Sequence, residues 1–525
     1  MDLTCPAPAG SVGETAAKPS ALLRWFVPDL ALLAGMVTLV YCLVFYDGTT
    51  QLFRDSDAGW HIRNGERILS GAGLPHSDSW SMTRQGQPWF AWEWGADVIA
   101  GGLHLLGGPA YVAGFYGLMI AAATWFWFRL HWAVGGHFLI AGIMTTLLLS
   151  TGNIHWLARP HVLSWVFLLA TLLMIETGIR SIPAFALLSI AWTNLHASFF
   201  LLSVVLGIYA VDRLLRSVIW SGFDRDADWK QVRWFVTAAA VSFAVTIVNP
   251  YGWAVHQHIF HYLGDRELLD RIGEFQSFNF RVLGAEQILI GMVLTALGGV
   301  LALTQKRLAH FLICSLFFVK GLESARVLPL VMMLCLPLAG GAITESVRNW
   351  KGVQPWLRRW LDGFLQYGAN LRVIDRRFHG GALVPLLVAV LFWALSIPAV
   401  AQRAGFPEER YPVKACNQVV DKLPLDAKIL APDMYGGYLI YRFNGARKVW
   451  FDGRSDFYGA PYMKEYIDTV EVRKGARERI VQMGFTHALL PNRYSLIPAL
   501  ETLGWKRLYA DETATLLEAP QRLKD

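Results

Sequence analysis

The chain has 525 residues, of which 54% are hydrophobic and 17% charged, with a net charge of +7 and a mean hydropathy of +0.36. A soluble chain of this length carries roughly a quarter charged residues, so the composition excludes an ordinary soluble enzyme and points to a polytopic membrane protein. The basic residues inform by position rather than by number, and no nucleic-acid partner is expected.

Residues 1–20 are rich in Ala, Pro and Gly and lack a basic start followed at once by an apolar core, so they read as a short tail rather than a cleaved signal. Apolar runs follow at 29–46, 110–130, 137–151, 160–178, 181–195, 197–212, 233–249, 282–304, 308–322, 326–345 and 382–401. At the length needed to cross a bilayer they amount to about eleven spans, several of them short. The stretch 95–107 is apolar but too short to span, and is expected to be an interfacial helix. Lys and Arg cluster before the first span and after the sixth, eighth and tenth, which places all four clusters on one side, the cytoplasm. The resulting division is a cytoplasmic tail at 1–28, a transmembrane domain at 29–401 with a large outer loop at 47–94, and an extracytoplasmic α/β domain at 402–525. The expected setting is the plasma (inner) membrane, multi-pass, with the N-terminus cytoplasmic and membrane lipids around the spans.

In the tail domain short β-rich runs (428–431, 438–443, 448–451, 488–490, 515–517) alternate with helical stretches (459–470, 474–483, 494–503), with turns expected at Gly436-Gly437, Asn444-Gly445 and Asp452-Gly453. The segments Asp433–Tyr438 and Asp452–Gly459 are candidate binding loops, which together would form a lip facing the membrane. The five cysteines form no close pair, and no disulfide or zinc spacing is present. The set His256, His258, His261 is metal-like in number but completes no tetrahedral signature. No nucleophile triad, phosphate-binding loop or dinucleotide fingerprint occurs.

The most informative segment is Asp55-Ser-Asp57-Ala-Gly-Trp60-His61-Ile-Arg63-Asn-Gly65-Glu66, directly after the first span. Charge at a membrane edge is costly unless solvated, paired or used. Either Asp also suits the N-terminus of a helix starting near Gly59. Other polar groups reach the same outer face: Glu93 between two tryptophans, Arg159-Pro160-His161, His196, and Lys320, Glu323 and Arg326. Arg159 opposes the positive-inside bias, though an interfacial Arg also snorkels. Spacings of three put Lys320, Glu323 and Arg326 on one face if helical, as a phosphate clamp or as an internal ion-pair set.

A long outer loop after the first helix, with acids near its start (Asp55, Asp57), then Gly65-Glu66, Gly86-x-Pro88 and a closing acid (Glu93), resembles the GT-C superfamily of membrane glycosyltransferases. The likeness is to its mannosyl- and aminoarabinose-transferase-like branch. It departs at the closing step, where Trp92-Glu93-Trp94 stands in place of an acid-Pro-Pro step, and it fades after about residue 200. The resemblance implies a hexosyl- or pentosyltransferase using a polyprenyl-phosphate-sugar donor, with Asp57, helped by Asp55, acting on the acceptor hydroxyl. Convergence on one outer face makes His61, Arg63, Glu66, Glu93, Arg159, His161, His196, Lys320, Glu323 and Arg326 candidate substrate-binding residues. A divalent cation, if used, would sit at Asp55 and Asp57. The acceptor would be a lipid, glycan or protein, and cell-envelope assembly partners fit the setting. Two alternatives stay open: a transporter or flippase of a lipid-linked substrate, which calls for ionisable groups near mid-span, and a non-catalytic assembly protein, whose outer charges would be neutralised by mutual ion pairs.

Overall fold

The computed structural model describes residues 20–45 and 47–520, so most of the expected N-terminal tail lies outside the described residues. Within it, Ala21–Phe26 forms a short helix capped by Ser20, and Asp29 then caps Leu30–Val44 by accepting from the Leu32 N–H at 2.9 Å. Each apolar run coincides with a helix. Among the described residues, six helical segments are long and apolar enough to cross a membrane: Ala21–Val44, Trp94–Ala133, Phe138–His155, Ala197–Ile219, Ala285–Thr304 and Ala325–Asn349. His161–Glu176, Ile182–Thr193 and Leu383–Leu395 are apolar but shorter.

Small residues set how closely these helices approach, as is usual where the lipid offers no competing hydrophobic drive. A Cβ at Gly298 would fall 2.2 Å from Ala339 Cβ, and one at Gly117 would touch Leu43. The run Trp94–Ala133 is broken at Gly107-Gly108, where Gly108 takes φ +63°. Residues 94–106 are thereby set off by a kink from the apolar stretch that begins at Pro109.

The C-terminal part carries a four-stranded sheet in the order β1-β2-β4-β3, from Ile429–Leu430, His487–Pro491, Lys506–Ala510 and Ala514–Glu518 in sequence order. β1 runs parallel to β2, with Ile429 opposite His487, and β4 runs antiparallel to both β2 and β3. β2 is fully buried, whereas β3 is a charged edge that shows no apolar alternation and so escapes sequence reading.

Two of the expected strands are not in this sheet. Residues 438–442 lie in the helix Asp433–Arg442, and its Gly436-Gly437 is no turn. A Cβ at Gly436 would sit 2.2 Å from Phe451 O, and one at Gly437 2.2 Å from Ser56 O, so the glycines admit close neighbours. Residues 448–451 pair instead with the loop 47–94: Met82 N–H donates to Val449 O at 2.8 Å and Val449 N–H to Trp80 O at 2.9 Å. Trp60, Trp80 and Trp89 of the loop share one apolar core with Tyr435, Phe451 and Leu489 of the tail. The loop and the tail thus form a single body on one end of the bundle.

Candidate active site

The helix Asp57–Arg67 is gripped on two sides through its glycines. A Cβ at Gly59 would fall 2.3 Å from Gly437 O, and one at Gly65 1.7 Å from Asp97 O. These crossings fix the N-terminus of the helix, and with it Asp57, between the bundle and the tail.

Asp55 and Asp57 share one partner. Arg159 Nη1 lies 2.7 Å from Asp55 Oδ2, and Nη2 lies 2.8 Å from Asp57 Oδ2. Asp55, one position before the N-cap Ser56, also accepts the Asp57 N–H at 2.9 Å. Burial pushes the Asp57 carboxyl up to about 7, against the pull of Arg159 and with the added push of the Asp55 charge. Asp55 is opposed by burial too, but Arg159 and the Asp57 N–H hold it below the ordinary carboxylate range. The two titrate as a pair in which Asp55 keeps the charge and Asp57 takes the proton.

These groups open into a cavity of about 570 Å³ between the bundle and the tail. Arg159, Glu93, His196 and Arg326 line it along with the two aspartates. Burial raises Glu93 to about 7, its oxygens lying 3.4 Å from His196 Nε2 and 3.7 Å from His61 Nε2. Arg326 reaches Glu274 Oε1 at 2.6 Å.

The other expected residues stand elsewhere. His61 lies behind the cavity, its Nδ1 2.5 Å from Asp97 Oδ1, and bears on the cavity through Glu93 alone. His161 contacts His155 O at 2.9 Å and does not line the cavity. Arg63 and Glu66 pair on the far face of the loop helix, where Arg63 donates to Tyr441 O and His104 contacts Glu66 at 2.6 Å, joining loop to tail. Lys320 and Glu323 pair with each other at 2.6 Å, both more than half exposed, and do not line the cavity. Spacing alone gave them a face in common with Arg326, but Ser324, in extended backbone, ends the helix between them.

The wall opposite Arg159 comes from the tail. Asp433, Met434, Asp452, Gly453, Ser455 and Asp456, on the two segments singled out as a lip, line the cavity. A Cβ at Gly453 would fall 1.9 Å from Asp57 Oδ1. That turn is locked by buried charge: Arg454 Nη2 lies 2.7 Å from Asp452 Oδ2 and 2.8 Å from Asp78 Oδ1 of the loop, and its guanidinium stands 4.7–5.0 Å from the rings of Trp80, Trp89 and Phe457. Arg54 and Arg410 also line the cavity and had no sequence signal, being lone arginines outside any motif.

Arg159 lies where a cation bridging Asp55 and Asp57 would stand, and among the described residues no cluster of three or more His, Cys, Asp or Glu has the placement of a metal site. The three histidines 256, 258 and 261 diverge, His256 toward Thr246 and His258 toward Asp456. In this arrangement both carboxylates are paired with Arg159.

The fold is similar to that of the oligosaccharyltransferase of Archaeoglobus fulgidus in the apo form, with a TM-score of 0.50 and 9% identity, over 88% of this chain and 69% of that one. The same enzyme tethered to an acceptor peptide containing the NVT sequon gives a TM-score of 0.47 and 10% identity, over 88% and 68%. No family model and no curated protein sequence matches the chain. At this identity the likeness is one of fold alone, and it agrees with the long apolar helices of a membrane protein.

Proposed function

We propose that the chain is an integral membrane glycosyltransferase that moves a sugar from a polyprenyl-phosphate-linked donor to a hydroxyl on a lipid, glycan or protein at the outer face of the membrane. One observation carries this reading. The Asp57 carboxylate, with an affinity for protons near neutrality, faces a cavity lined by Arg159, Arg326 and Arg410. A general base works best when its pKa lies near the working pH, and a departing phosphate needs fixed positive charge. In the reaction the acceptor oxygen bonds to the anomeric carbon while its proton passes to Asp57. The bond from that carbon to the phosphate oxygen breaks, and its electron pair leaves with the phosphate, whose charge Arg326 and Arg410 neutralise. Asp55 holds Arg159 in place, and Glu93 with His196 binds hydroxyls of donor or acceptor. The loop's likeness to the mannosyl- and aminoarabinose-transferase-like branch supports a hexose or pentose as the transferred group.

The test is transfer from a lipid-phosphate sugar by the purified chain and by Asp57→Asn. The reading expects activity in the parent and a loss on the order of 10²-fold or more in the variant. Transfer undiminished by the substitution, or none from any lipid-phosphate sugar in the parent, would sink it.

The second reading is a non-catalytic assembly protein with the same fold. It is favoured by the fork of Arg159, which neutralises both aspartates at once. Under it, Asp57→Asn would lower stability and alter no transfer reaction.

A further inference from the structure

A second cavity, of about 240 Å³, lies at the other end of the bundle. The helix Phe200–Ile219 begins in the wall of the first cavity and carries Arg213 and Arg216 into this one. Phe200 and Arg216 are about 24 Å apart at roughly 1.5 Å per residue, close to the thickness of a bilayer core. The helix Leu308–Glu323 starts here with Ala309 and His310 and ends near Arg326. The two cavities are therefore at opposite membrane faces of one bundle.

We propose that this second cavity binds a phosphate-bearing anion, the headgroup of an anionic phospholipid. Its own carboxylates are occupied. Glu176 is held by Tyr209 and by His310 Nε2 at 3.0 Å, and Asp212 accepts the Ala309 N–H at 3.2 Å with Arg213 Nε 3.4 Å away. Arg216 grips Asp228 with Nε at 2.8 and 2.9 Å. The remaining cations have no carboxylate within 4 Å among the described residues. Lys306 Nζ reaches Ser221 O at 3.5 Å, and Arg307 Nη1 donates to Val134 O at 3.2 Å. His310, 5% exposed, lines the cavity with its Nδ1 lacking any hydrogen-bond partner. Lys306 is held at φ +60°, a conformation unfavourable for a side chain of its kind, at the turn that presents both cations.

Arg213 and Arg216 on one helix and Lys306, Arg307 and His310 at the start of another line the same cavity. The surroundings favour a lipid over a soluble phosphate. Leu214, Val218 and Trp229, all exposed, flank Arg213 and Arg216 and offer an apolar surface for acyl chains with a Trp at the interfacial level. Basic pockets between spans on the side rich in Lys and Arg suit anionic headgroups.

The test uses the full chain in neutral detergent, with thermal unfolding followed as phosphatidylglycerol, phosphatidylcholine or inorganic phosphate is added. A ligand that binds only the folded state raises Tm with concentration. Phosphatidylglycerol is expected to raise Tm in the parent and in the control Lys351→Gln, an exposed cation outside the cavity. In Lys306→Gln/Arg307→Gln the half-saturating concentration should rise on the order of tenfold or more. Should that double variant fail to fold, Arg307→Lys, which keeps the charge and loses the fork, should weaken the response partially, and native mass spectrometry of retained lipid gives a second measure. Equal responses in parent and variant, or a phosphatidylcholine response as large as that to phosphatidylglycerol, would overturn the site. A matching shift with inorganic phosphate alone would overturn the lipid as its source.

Discussion

Gly453 and Asp57, almost four hundred residues apart in sequence, meet so closely that a Cβ on the glycine would stand 1.9 Å from Asp57 Oδ1. The contact is between the tail and the loop 47–94, so the tail sets the direction of the carboxylate on which the proposed transfer depends. Gly453→Ala is expected to displace the Asp57 side chain at a stability cost of about 1–3 kcal/mol, the usual range for overpacking. Activity should fall much further than that cost would imply. Thermal unfolding beside a transfer assay measures both, and an alanine variant with parental activity would separate the tail from the site.

The buried set Asp78, Arg454 and Asp452 makes that direction rigid. Removing the guanidinium in Arg454→Met leaves two carboxylates facing each other, the arginine side chain being 1% exposed and both acids 0%. Breaking a buried ion pair from one side costs about 3–5 kcal/mol, so a strong drop in Tm is expected. Adding Asp78→Asn and Asp452→Asn should restore part of it, because the uncompensated charge is then gone. A triple variant no more stable than the single one would show that the charges are not what holds the turn.

Much of this arrangement was legible in the chain. Asp55, Asp57 and Arg159 stood out because charge at a membrane edge needs a reason, and the three are joined in the structure. The apolar runs marked the helices because hydropathy is a local property. What escaped was non-local. Gly436-Gly437 reads equally as a turn or as a close crossing, and only the backbone of Ser56 and Phe451, brought there by the fold, decides it. Arg54 and Arg410 carry no pattern, since a lone arginine acquires a role only from what the fold places beside it. Lys320 and Glu323 form the ion pair that their spacing offered as one reading, and the helix ends before Arg326.

The glycine crossings of the loop helix can be tested by adding single methyl groups. Gly59→Ala and Gly65→Ala each place a Cβ on backbone, 2.3 Å from Gly437 O and 1.7 Å from Asp97 O. Backbone cannot swing aside, so a loss at or above the usual overpacking range of about 1–3 kcal/mol is expected. The comparison is Gly142→Ala, in the helix Phe138–Gly152, where a Cβ meets nothing within 4 Å. There the better helix propensity of Ala should leave stability unchanged or raise it by up to about 1 kcal/mol.

The raised proton affinity of Asp57 and Glu93 gives a pH dependence of definite sign. In the unfolded chain a carboxyl releases its proton near pH 4, whereas burial holds both protons to about pH 7 in the folded protein. Between about pH 4 and pH 7 the folded state therefore binds more protons than the unfolded state, and stability falls as pH rises through that window. Transfer runs the opposite way, because Asp57 must be ionised to accept the hydroxyl proton: activity should rise with pH and level off above about 7. Asp57→Asn and Glu93→Gln should each flatten part of the stability slope, while Glu93→Gln should leave the acidic limb of the activity profile in place. An activity profile with its midpoint near pH 4 would mean that Asp57 is ionised throughout, and that the fork of Arg159 outweighs burial at this site.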